Sequence, residues 1–319
     1  MKQVRVGVIG VGYLGKFHAE KYAALPQAEL VGVVDTDAAA SRELGERLQV
    51  PSYNNCQALF DIVDAVSIVV PTEHHHAIAR ECLDHGIDVL VEKPMTTTLA
   101  EADDLIQAAQ TNSRILQVGH LERFNAALLS LDGILQTPMF IESHRLAPFK
   151  DRGTDVDVIL DIMIHDIDII LNITSSPVKS IQAVGVPVVS SKNNDIANVR
   201  LEFESGCVAN VTASRISAKE MRKIRVFQQD AYLSIDFAAQ QVEVYKKFDG
   251  GADYDSPQIM YDLIDITQGD SLKAEIESFL QAVQTRSLPT VPGEAGRNAL
   301  KVALEIVAQI DTKKTTLKI

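Results

Sequence analysis

Three polar residues with helical spacing, Asp161, His165 and Asp168, are the first candidates for chemistry in this sequence. At about 100° per residue, positions i, i+4 and i+7 share one face of a helix, so these side chains form a stripe. Asp157 and Asn172 continue the stripe through an otherwise apolar segment. Because a buried carboxylate without a partner costs several kcal/mol, the stripe must face a charged side chain, a solvent cleft or a ligand.

The helix alone leaves three interpretations of this stripe open. In the first, the stripe is a solvated face. In the second, His165 is an acid–base group, and Asp161, one turn before it, orients its ring. The third interpretation is a metal site made by Asp161, His165 and Asp168, although nothing else nearby has ligand spacing. Asp166 breaks the pattern and lies on the other, apolar side of the helix.

The composition is that of a globular chain with an acidic balance. Hydrophobic residues make up 46% and charged residues 23% of the 319 residues, and the formal net charge is −13. This charge argues against nucleic acid or an anionic membrane as the main partner, although a local site can still bind an anion. The cysteines at 56, 82 and 207 form no metal motif, and no leader or membrane-length apolar run is present. We therefore expect a cytoplasmic protein.

A glycine-rich loop near the start predicts a dinucleotide site. The loop GVGYLG at 10–15 joins an apolar strand at 4–9 to a helical pattern, and a second apolar strand ends at Asp35. In this context the glycines let the backbone approach a pyrophosphate at a helix N-terminus, and the acid accepts hydrogen bonds from a ribose. Thr36 and Asp37 offer no positive charge for a 2′-phosphate, so we expect NAD rather than NADP. Asp37 fits the cap of the next helix better than Asp35 does.

Alternating strands and helices continue to about residue 120. Strands are predicted at 65–70, 87–91 and 115–118, with helices at 73–84 and from 99. The alternation predicts a parallel doubly wound sheet, whose ligands bind at the carboxyl ends of the strands. Those ends carry Pro71, Thr72, Glu73, Glu92, Lys93, Pro94, Gly119 and His120. The consecutive residues His74, His75 and His76 diverge on a helix and cannot all ligate one ion.

Lys93 is a cation directly after an apolar strand and before a proline. There its charge would favour an ionised or strongly polarised hydroxyl. The alternative is a surface lysine that pairs with Glu92, and the sequence leaves open whether the Lys93–Pro94 bond is cis.

After residue 120 the regular alternation of strands and helices ends. A helix at 121–131 and a strand at 139–146 precede the striped helix, and further strands are predicted at 199–203, 208–213, 224–228, 232–235 and 242–245. We expect an antiparallel sheet with helices on one face, while the other face is a candidate oligomer interface. An acidic loop at 249–270, two closing helices at 272–284 and 295–310 and a frayed tail at 313–318 complete the prediction.

Several separated motifs together resemble the Gfo/Idh/MocA oxidoreductase family. They are the glycine fingerprint, Pro71 with His75 four residues later, Gly86 followed by a strand into Glu92-Lys93-Pro94, and the Asp161, His165 and Asp168 spacing. The resemblance covers nearly the whole chain. It implies an α/β protein with an NAD-binding Rossmann domain at 1–120, then an α/β domain with an open, largely antiparallel sheet at 121–319. The last helix is a candidate for packing back on the first domain.

The resemblance implies a role for each matching residue. Lys93 and His165 would be the catalytic pair, with Asp161 beside them. The implied NAD-binding residues are Gly10, Gly12, Tyr13, Leu14, Gly15, Asp35, Pro71, Thr72, His75 and Glu92. Arg123, Asn125, Arg145 and Asp157 are substrate-side candidates, with ordinary salt bridging as the alternative. No metal is implied, and Met163 stands where family members usually have glycine.

The segments 119–125 and 155–168 resemble the branch of this family that oxidises the 3-hydroxyl of UDP-N-acetylglucosamine. In that branch an aminotransferase then makes the 3-amino sugar used in lipid A. The expected function is thus NAD-dependent oxidation of a sugar or UDP-sugar hydroxyl, in a homodimer or homotetramer. A free-sugar or inositol dehydrogenase is the alternative. A non-enzymatic NAD-binding regulator is less favoured because Lys93 and His165 are both present.

Overall fold

The computed structural model describes residues 3–149, 156–190, 192–248 and 258–317. Its strands are β1 (Val4–Ile9), β2 (Ala28–Val34), β3 (Ser52–Tyr53), β4 (Ala65–Ile68), β5 (Asp88–Glu92), β6 (Leu116–Gly119), β7 (Phe140–Leu146), β8 (Val178–Val186), β9 (Ile196–Phe203), β10 (Val208–Ser214), β11 (Met221–Phe227), β12 (Ala231–Asp236), β13 (Gln241–Phe248) and β14 (Gln258–Ile264). Its α-helices are α1 (Gly15–Ala24), α2 (Ala38–Leu48), α3 (His75–Asp84), α4 (Leu99–Thr111), α5 (Ala126–Leu129), α6 (Ile164–Thr174), α7 (Ser271–Thr285) and α8 (Gly293–Leu317). Short 3₁₀ turns lie at Cys56–Leu59, Thr72–His74 and Leu121–Phe124, and a π-helical turn at Ile159–Met163.

The chain divides into two compact units, each built from two stretches of sequence. The first contains Met1–Leu121 and Asp270–Leu300, and the second contains Glu122–Gly269 and Lys301–Ile319. The second division falls inside α8. Within the described residues, no helix is both long enough and apolar enough to cross a membrane.

The first unit is organised by a six-stranded parallel sheet. Its strand order is β3-β2-β1-β4-β5-β6. The chain leaves β1 toward β2 on one side and returns to β4 on the other, so the strand order reverses beside β1. In such sheets the crevice beyond the carboxyl ends at this reversal is the place where ligands bind. The predicted doubly wound parallel sheet is confirmed.

The core of this unit includes a helix from the C-terminal part of the chain. Ile276 and Phe279 of α7 belong to the same buried cluster as Tyr22 of α1 and Val6 and Val8 of β1. Strand β1 is buried at five of its six positions, as expected for a parallel strand that is covered on both faces. The apolar side of α7 thus helps to hold α1 and the loop before it against the sheet.

The second unit contains an eight-stranded sheet with the order β14-β13-β12-β11-β7-β10-β9-β8. The neighbours β7 and β10 run parallel, and the other neighbouring strands are antiparallel. Burial alternates along β7, so Ile141, Ser143 and Arg145 face inward. The inward face contacts α6, because Arg145 pairs with Asp166 of that helix. The predicted open, mostly antiparallel sheet is confirmed.

The opposite face of this sheet carries a row of aromatic side chains. They are Phe140, Phe227, Tyr232, Tyr245 and Tyr261, in register across β7, β11, β12, β13 and β14. The rings of Phe227 and Tyr232 stack with centroids 4.8 Å apart. A homodimer or homotetramer formed through this face stays a prediction.

Three details of the predicted second half are wrong. Part of the acidic segment forms the strand β14, while residues 249–257 lie outside the described part of the chain. The expected frayed tail continues α8 through Leu317, and the Lys313 ammonium donates to the Ala183 carbonyl at 3.0 Å. The helix expected at 121–131 is a 3₁₀ turn followed by α5, which is a single turn.

The striped helix is also not one regular α-helix. Residues Ile159–Met163 form a π-helical turn, in which the Ile164 N–H reaches back to the Ile159 carbonyl, and α6 starts only at Ile164. A π turn carries an extra residue, so the side chains before it are rotated about the helix axis relative to the side chains after it. The angular relation of Asp157 and Asp161 to His165 therefore differs from the ideal stripe. π turns of this kind are frequent at functional sites.

Candidate active site

The glycine-rich loop has the close contacts that a dinucleotide loop requires. Gly10 has φ +87°, and a Cβ there would lie 2.4 Å from the Val69 carbonyl oxygen. A Cβ on Gly15 would lie 1.8 Å from the Gly10 carbonyl oxygen, so α1 can start this close to β1 only with glycine. At Gly12 a Cβ would meet nothing within 4 Å. One side of the loop is thus open to a ligand, as the pyrophosphate position requires.

The N-terminus of α1 is not capped by a side chain. Leu14 occupies the N-cap position without a side-chain hydrogen bond, and both Tyr13 and Leu14 are exposed. The first amide groups of a helix are donors that an anion can satisfy. The residues present therefore fit a dinucleotide phosphate at this position.

Asp35 is fixed beside the same loop. Its Oδ2 accepts a hydrogen bond from the Val11 N–H at 2.7 Å and its Oδ1 accepts one from the Asp37 N–H at 2.9 Å. Asp37 instead caps α2 by accepting from the Ala39 and Ala40 amides, as the sequence indicated. The Asp35 carboxylate is thus already oriented, with acceptor capacity left for a hydroxyl pair.

The ends of β4 and β5 are joined by His75. This buried ring has Nδ1 2.9 Å from the Pro94 carbonyl oxygen and Nε2 2.8 Å from the Val70 carbonyl oxygen. Burial lowers the pKa of His75. Both ring nitrogens contact backbone carbonyls, so His75 fixes the geometry of this edge, and its expected place on the nicotinamide side stays a prediction. Pro71 and Thr72 lie in the turn between the same two strands.

Glu92 and Lys93 follow β5 at the same edge. The Lys93–Pro94 bond is cis, and the Lys93 N–H donates to Glu92 Oε2 at 3.2 Å. Burial raises the pKa of Glu92, but its hydrogen bond to His18, the charge of His18 and the charge of Lys93 outweigh burial and leave that pKa lowered. Glu92 is therefore ionised, with the positive charge of Lys93 nearby.

In the second unit, His165 and Asp168 lie on α6 three residues apart, and Asp161 lies in the preceding π turn. His165 and Asp161 are half-buried, whereas Asp168 is only 3% exposed. The Arg123 Nε lies 3.7 Å from Asp168 Oδ2. A uniformly solvated face does not describe this helix, because its polar stripe passes from exposed Asn172 into the interior at Asp168.

Arg145 is held in a buried ion pair. Its Nε and Nη2 donate to Asp166 Oδ1 at 2.9 and 2.7 Å, and its Nη1 donates to Glu122 Oε1 at 2.7 Å. Burial opposes the charged form, but Asp166 and Glu122 together leave the pKa of Arg145 raised. Two carboxylates pair with this guanidinium, which agrees with the salt-bridging alternative, and a role for Arg145 toward the substrate stays a prediction.

Asn125 and Asp157 are likewise used by the fold. Asn125 is buried, caps α5 through the Ala127 N–H, and donates to the Phe237 carbonyl at 3.1 Å. Asp157 accepts from the Ile159 N–H and from both the backbone and side-chain amides of Asn194. These bonds explain how the fold holds both residues, and their expected place on the substrate side stays a prediction.

Arg123 differs from Arg145, whose three guanidinium nitrogens all donate to carboxylates. The Arg123 side chain is largely buried, and its Nη1 has no hydrogen-bond partner within the described residues. A buried guanidinium with an unused donor is available to a carboxylate, a phosphate or a carbonyl. Of the four substrate-side candidates, Arg123 is therefore the one whose contacts best fit an anionic ligand.

The sequence interpretation missed four residues of these two networks: His18, Glu122, Asp166 and Glu275. The signal for Asp166 was present, since a carboxylate on the apolar side of a buried helix needs a cation. Arg145 at an inward position of an alternating strand was the matching signal. Glu275 lies in the apolar pattern of α7 and is 0% exposed. His18, Glu92 and Glu275 bring three ligand-type atoms within 4.8 Å of one another in the described part of the chain.

Comparisons with known proteins agree with this arrangement. The family model described as "Oxidoreductase family, NAD-binding Rossmann fold" matches residues 4–120, and the GFO/IDH/MocA C-terminal domain model matches residues 137–234. The chain is 39% identical over 312 residues to the UDP-N-acetylglucosamine 3-dehydrogenase of Acidithiobacillus ferrooxidans, with 98% of each chain covered. It is 26% identical to the myo-inositol 2-dehydrogenase of Thermotoga maritima, again with 98% of each covered.

A solved structure of the Acidithiobacillus ferrooxidans enzyme superposes with a TM-score of 0.91 at 39% identity, covering 96% of this chain and 97% of that chain. The two sheets, the glycine loop with its acid and the two family models all agree with the resemblance seen in the sequence. This chain belongs to the Gfo/Idh/MocA family of oxidoreductases, with an NAD(P)-binding Rossmann domain.

Proposed function

We propose that this chain oxidises the 3-hydroxyl of UDP-N-acetylglucosamine to a ketone with NAD as the hydride acceptor. The observation that carries the proposal is the 39% identity, over nearly the full length of both chains, to an enzyme of that name. Residues 1–120 would be the cofactor domain, and residues 121–319 the substrate and oligomerisation domain. The likeness to a myo-inositol 2-dehydrogenase is lower at the same coverage, so oxidation of a free cyclitol is the second candidate.

In the proposed reaction C3 loses a hydride and the 3-hydroxyl loses a proton. Bound NAD would supply the hydride acceptor for this oxidation. His165 would take the hydroxyl proton as general base, with Asp161 orienting it, and the Lys93 ammonium would stabilise the developing alkoxide. Gly10, Gly12, Gly15 and Asp35 would hold the cofactor, together with Tyr13, Leu14, Pro71, Thr72 and Glu92 near the same edge.

The nucleotide part of the substrate gives a further reason for a cationic contact. A diphosphate far from the reacting carbon supplies binding energy that can orient C3. Arg123 is the proposed contact, because its Nη1 donor is not used by the described residues. The positive charge of Arg123 would then be shared between Asp168 and the substrate.

Trapping the product tests the substrate assignment. The protein is incubated with NAD and either UDP-N-acetylglucosamine or myo-inositol, and hydroxylamine captures any ketone as an oxime for mass spectrometry. We expect the oxime of the 3-keto UDP-sugar, with little product from myo-inositol. Turnover of myo-inositol with none of the UDP-sugar would assign the chain to cyclitol oxidation, and turnover of neither would favour a non-enzymatic regulator.

Cofactor preference is the first quantitative prediction. Because Asp35 is fixed by the Val11 amide and is followed by Thr36 and Asp37, a 2′-phosphate would meet negative charge. We expect kcat/KM for NAD to exceed that for NADP by at least about tenfold, which corresponds to about 1.4 kcal/mol. Steady-state kinetics with both cofactors measures this ratio.

The Asp35→Asn variant is the matched comparison, since its amide oxygen can still accept the Val11 hydrogen bond. The variant should reduce the ratio of kcat/KM for NAD to that for NADP, because it removes the negative charge, together with the acceptor of the Asp37 N–H. Equal efficiency of the wild-type protein with NAD and NADP would show that Asp35 does not select the cofactor.

A further inference from the structure

A buried cluster of ionisable side chains lies behind Lys93 in the first unit. It consists of His18 on α1, Glu92 at the end of β5 and Glu275 on α7, with one ligand-type atom from each within 4.8 Å of the others. His18 Nε2 lies 3.3 Å from Glu92 Oε1. Since Glu92 Oε2 accepts the Lys93 N–H, the cluster connects α1 and α7 to the backbone at Lys93.

Glu275 is the member without an electrostatic partner. Its side chain is 0% exposed, and neither carboxylate oxygen accepts a hydrogen bond from a described residue. An ionised carboxylate there would lack both water and donors, at a cost of several kcal/mol. Burial first, and the negative charge of Glu92 second, raise the pKa of Glu275 well above its ordinary value.

Glu92 has the opposite environment. His18 and the Lys93 N–H contact its two oxygens, and a Cβ on Gly119 would lie 3.0 Å from its carboxylate carbon. When two carboxylates share a site, one of them holds a proton. The contacts identify Glu92 as the ionised member and leave the proton with Glu275.

The other groups near α7 do not alter this assignment. The Tyr22 hydroxyl pairs with Ser67 Oγ at 2.8 Å, and Gln117 Nε2 donates to the backbone carbonyl of Glu275, not to its side chain. Asp270, at the start of α7, pairs with Lys21. The charge that acts on the Glu275 carboxyl is that of Glu92.

We propose that Glu275 is a protonated carboxylic acid that, together with His18, positions the Glu92 carboxylate and through it Lys93. A protonated Glu275 places a neutral carboxyl, not a second negative charge, beside Glu92, and its O–H is a donor within 4.8 Å of the Glu92 carboxylate and the His18 imidazole. Glu275 is thus a positioning residue that acts through Glu92. Only its consequence for catalysis rests on the proposed function, because the protonation follows from the cluster itself.

The pH dependence of stability tests the protonation without any substrate. A raised pKa in the folded state means that the stability contributed by this proton is fully present below the unfolded pKa of about 4.3 and is lost as pH rises toward the folded pKa. Glu275→Gln keeps the shape and a donor but does not titrate. We expect its melting temperature to approach that of the wild type near pH 5 and to exceed it by at least about 2 °C at pH 8.5.

Glu277→Gln is the matched control on the same helix, since Glu277 is partly exposed and pairs with Lys273. The difference in melting temperature between Glu277→Gln and the wild type should not increase with pH. If the melting temperature of Glu275→Gln does not rise relative to that of the wild type between pH 5 and pH 8.5, Glu275 does not hold a proton in the folded state and the proposal fails. Stoichiometric divalent metal in the purified protein, with a lower melting temperature after chelation, would also overturn it, because the cluster would then be a cation site.

The positioning role is tested by comparing Glu275→Gln with Glu275→Leu, which offers no donor. Leucine should lower kcat at least tenfold with KM for NAD changed less than threefold, and glutamine should restore most of the loss. Labelling of the Lys93 amine by acetic anhydride against pH gives a readout that needs no substrate. We expect the labelling profile to shift in the leucine variant and to return in the glutamine variant. Unchanged profiles in both would overturn the positioning role, whatever the substrate proves to be.

Discussion

Replacing Lys93 by methionine is expected to lower kcat by about 10²–10⁴-fold. Methionine keeps much of the length of the side chain but removes the charge that would stabilise the developing alkoxide. Lys93 directly follows β5, and its charge is one of the causes that lower the pKa of Glu92. The cation proposed to act in catalysis therefore lies beside a fixed anion at the carboxyl edge of the parallel sheet. Steady-state kinetics with UDP-N-acetylglucosamine, in the presence of the ketone trap, measures the loss.

The interpretation requires that the methionine variant still binds the cofactor. NADH affinity, followed by fluorescence, should stay within about threefold of wild type if Lys93 acts mainly in the transition state. Lys301→Met is the matched control, because Lys301 is a half-exposed lysine that pairs with Glu305 on α8. Near-wild-type turnover by the Lys93→Met variant would instead support the alternative, in which Lys93 is a surface lysine that pairs with Glu92.

The His165→Ala variant is expected to show a loss of similar size, about 10²–10⁴-fold in kcat. His165 is half-buried on α6, immediately after the π turn that carries Asp161. Without the imidazole, no positioned base would accept the proton of the hydroxyl as the hydride leaves. Binding of NADH should remain near normal, so the effect should appear in kcat.

His74→Ala is the control for this substitution, since His74 is an exposed histidine in the 3₁₀ turn before α3. It should leave kcat unchanged. If His165→Ala also turns over at the wild-type rate, the polar stripe is a structural feature of α6 and the base must be sought elsewhere.

The Rossmann half could be predicted from sequence because its local signals agree with one another. The glycine loop, the acid at the end of the second strand and the strand–helix alternation each predict the same sheet. The loop depends on contacts within a few residues, such as the approach of Gly15 to the Gly10 carbonyl. Short-range geometry of this kind is encoded locally and can be recognised without knowledge of tertiary contacts.

The missed strands have a common physical cause. Strands β8 and β14 are the two edges of the eight-stranded sheet, so each pairs with one neighbour only. Edge strands need less burial, and Ile259, Met260, Tyr261 and Leu263 of β14 are all exposed. Neither strand therefore shows the periodic pattern by which a half-buried strand is recognised.

The polar networks were missed for a different reason. Glu122, Arg145 and Asp166 come from three separate elements, as do His18, Glu92 and Glu275. Hydrophobic periodicity places each residue on a face of its own element, but it does not specify which faces meet. The sequence therefore left open whether Arg145 is a substrate contact or a salt-bridge residue, and in the structure it pairs with Glu122 and Asp166. The π turn before α6 also escapes any analysis based on a fixed 100° per residue.

The most direct test of the central claim follows the hydride itself. UDP-N-acetylglucosamine carrying deuterium at C3 is incubated with the protein and NAD in the presence of a ketone trap, and the NADH is analysed by mass spectrometry. Transfer from C3 predicts NADH that is one mass unit heavier, whereas substrate deuterated at C4 gives unlabelled NADH. Unlabelled NADH from the C3-deuterated sugar, or labelled NADH from the C4-deuterated sugar, would contradict the proposed oxidation at C3.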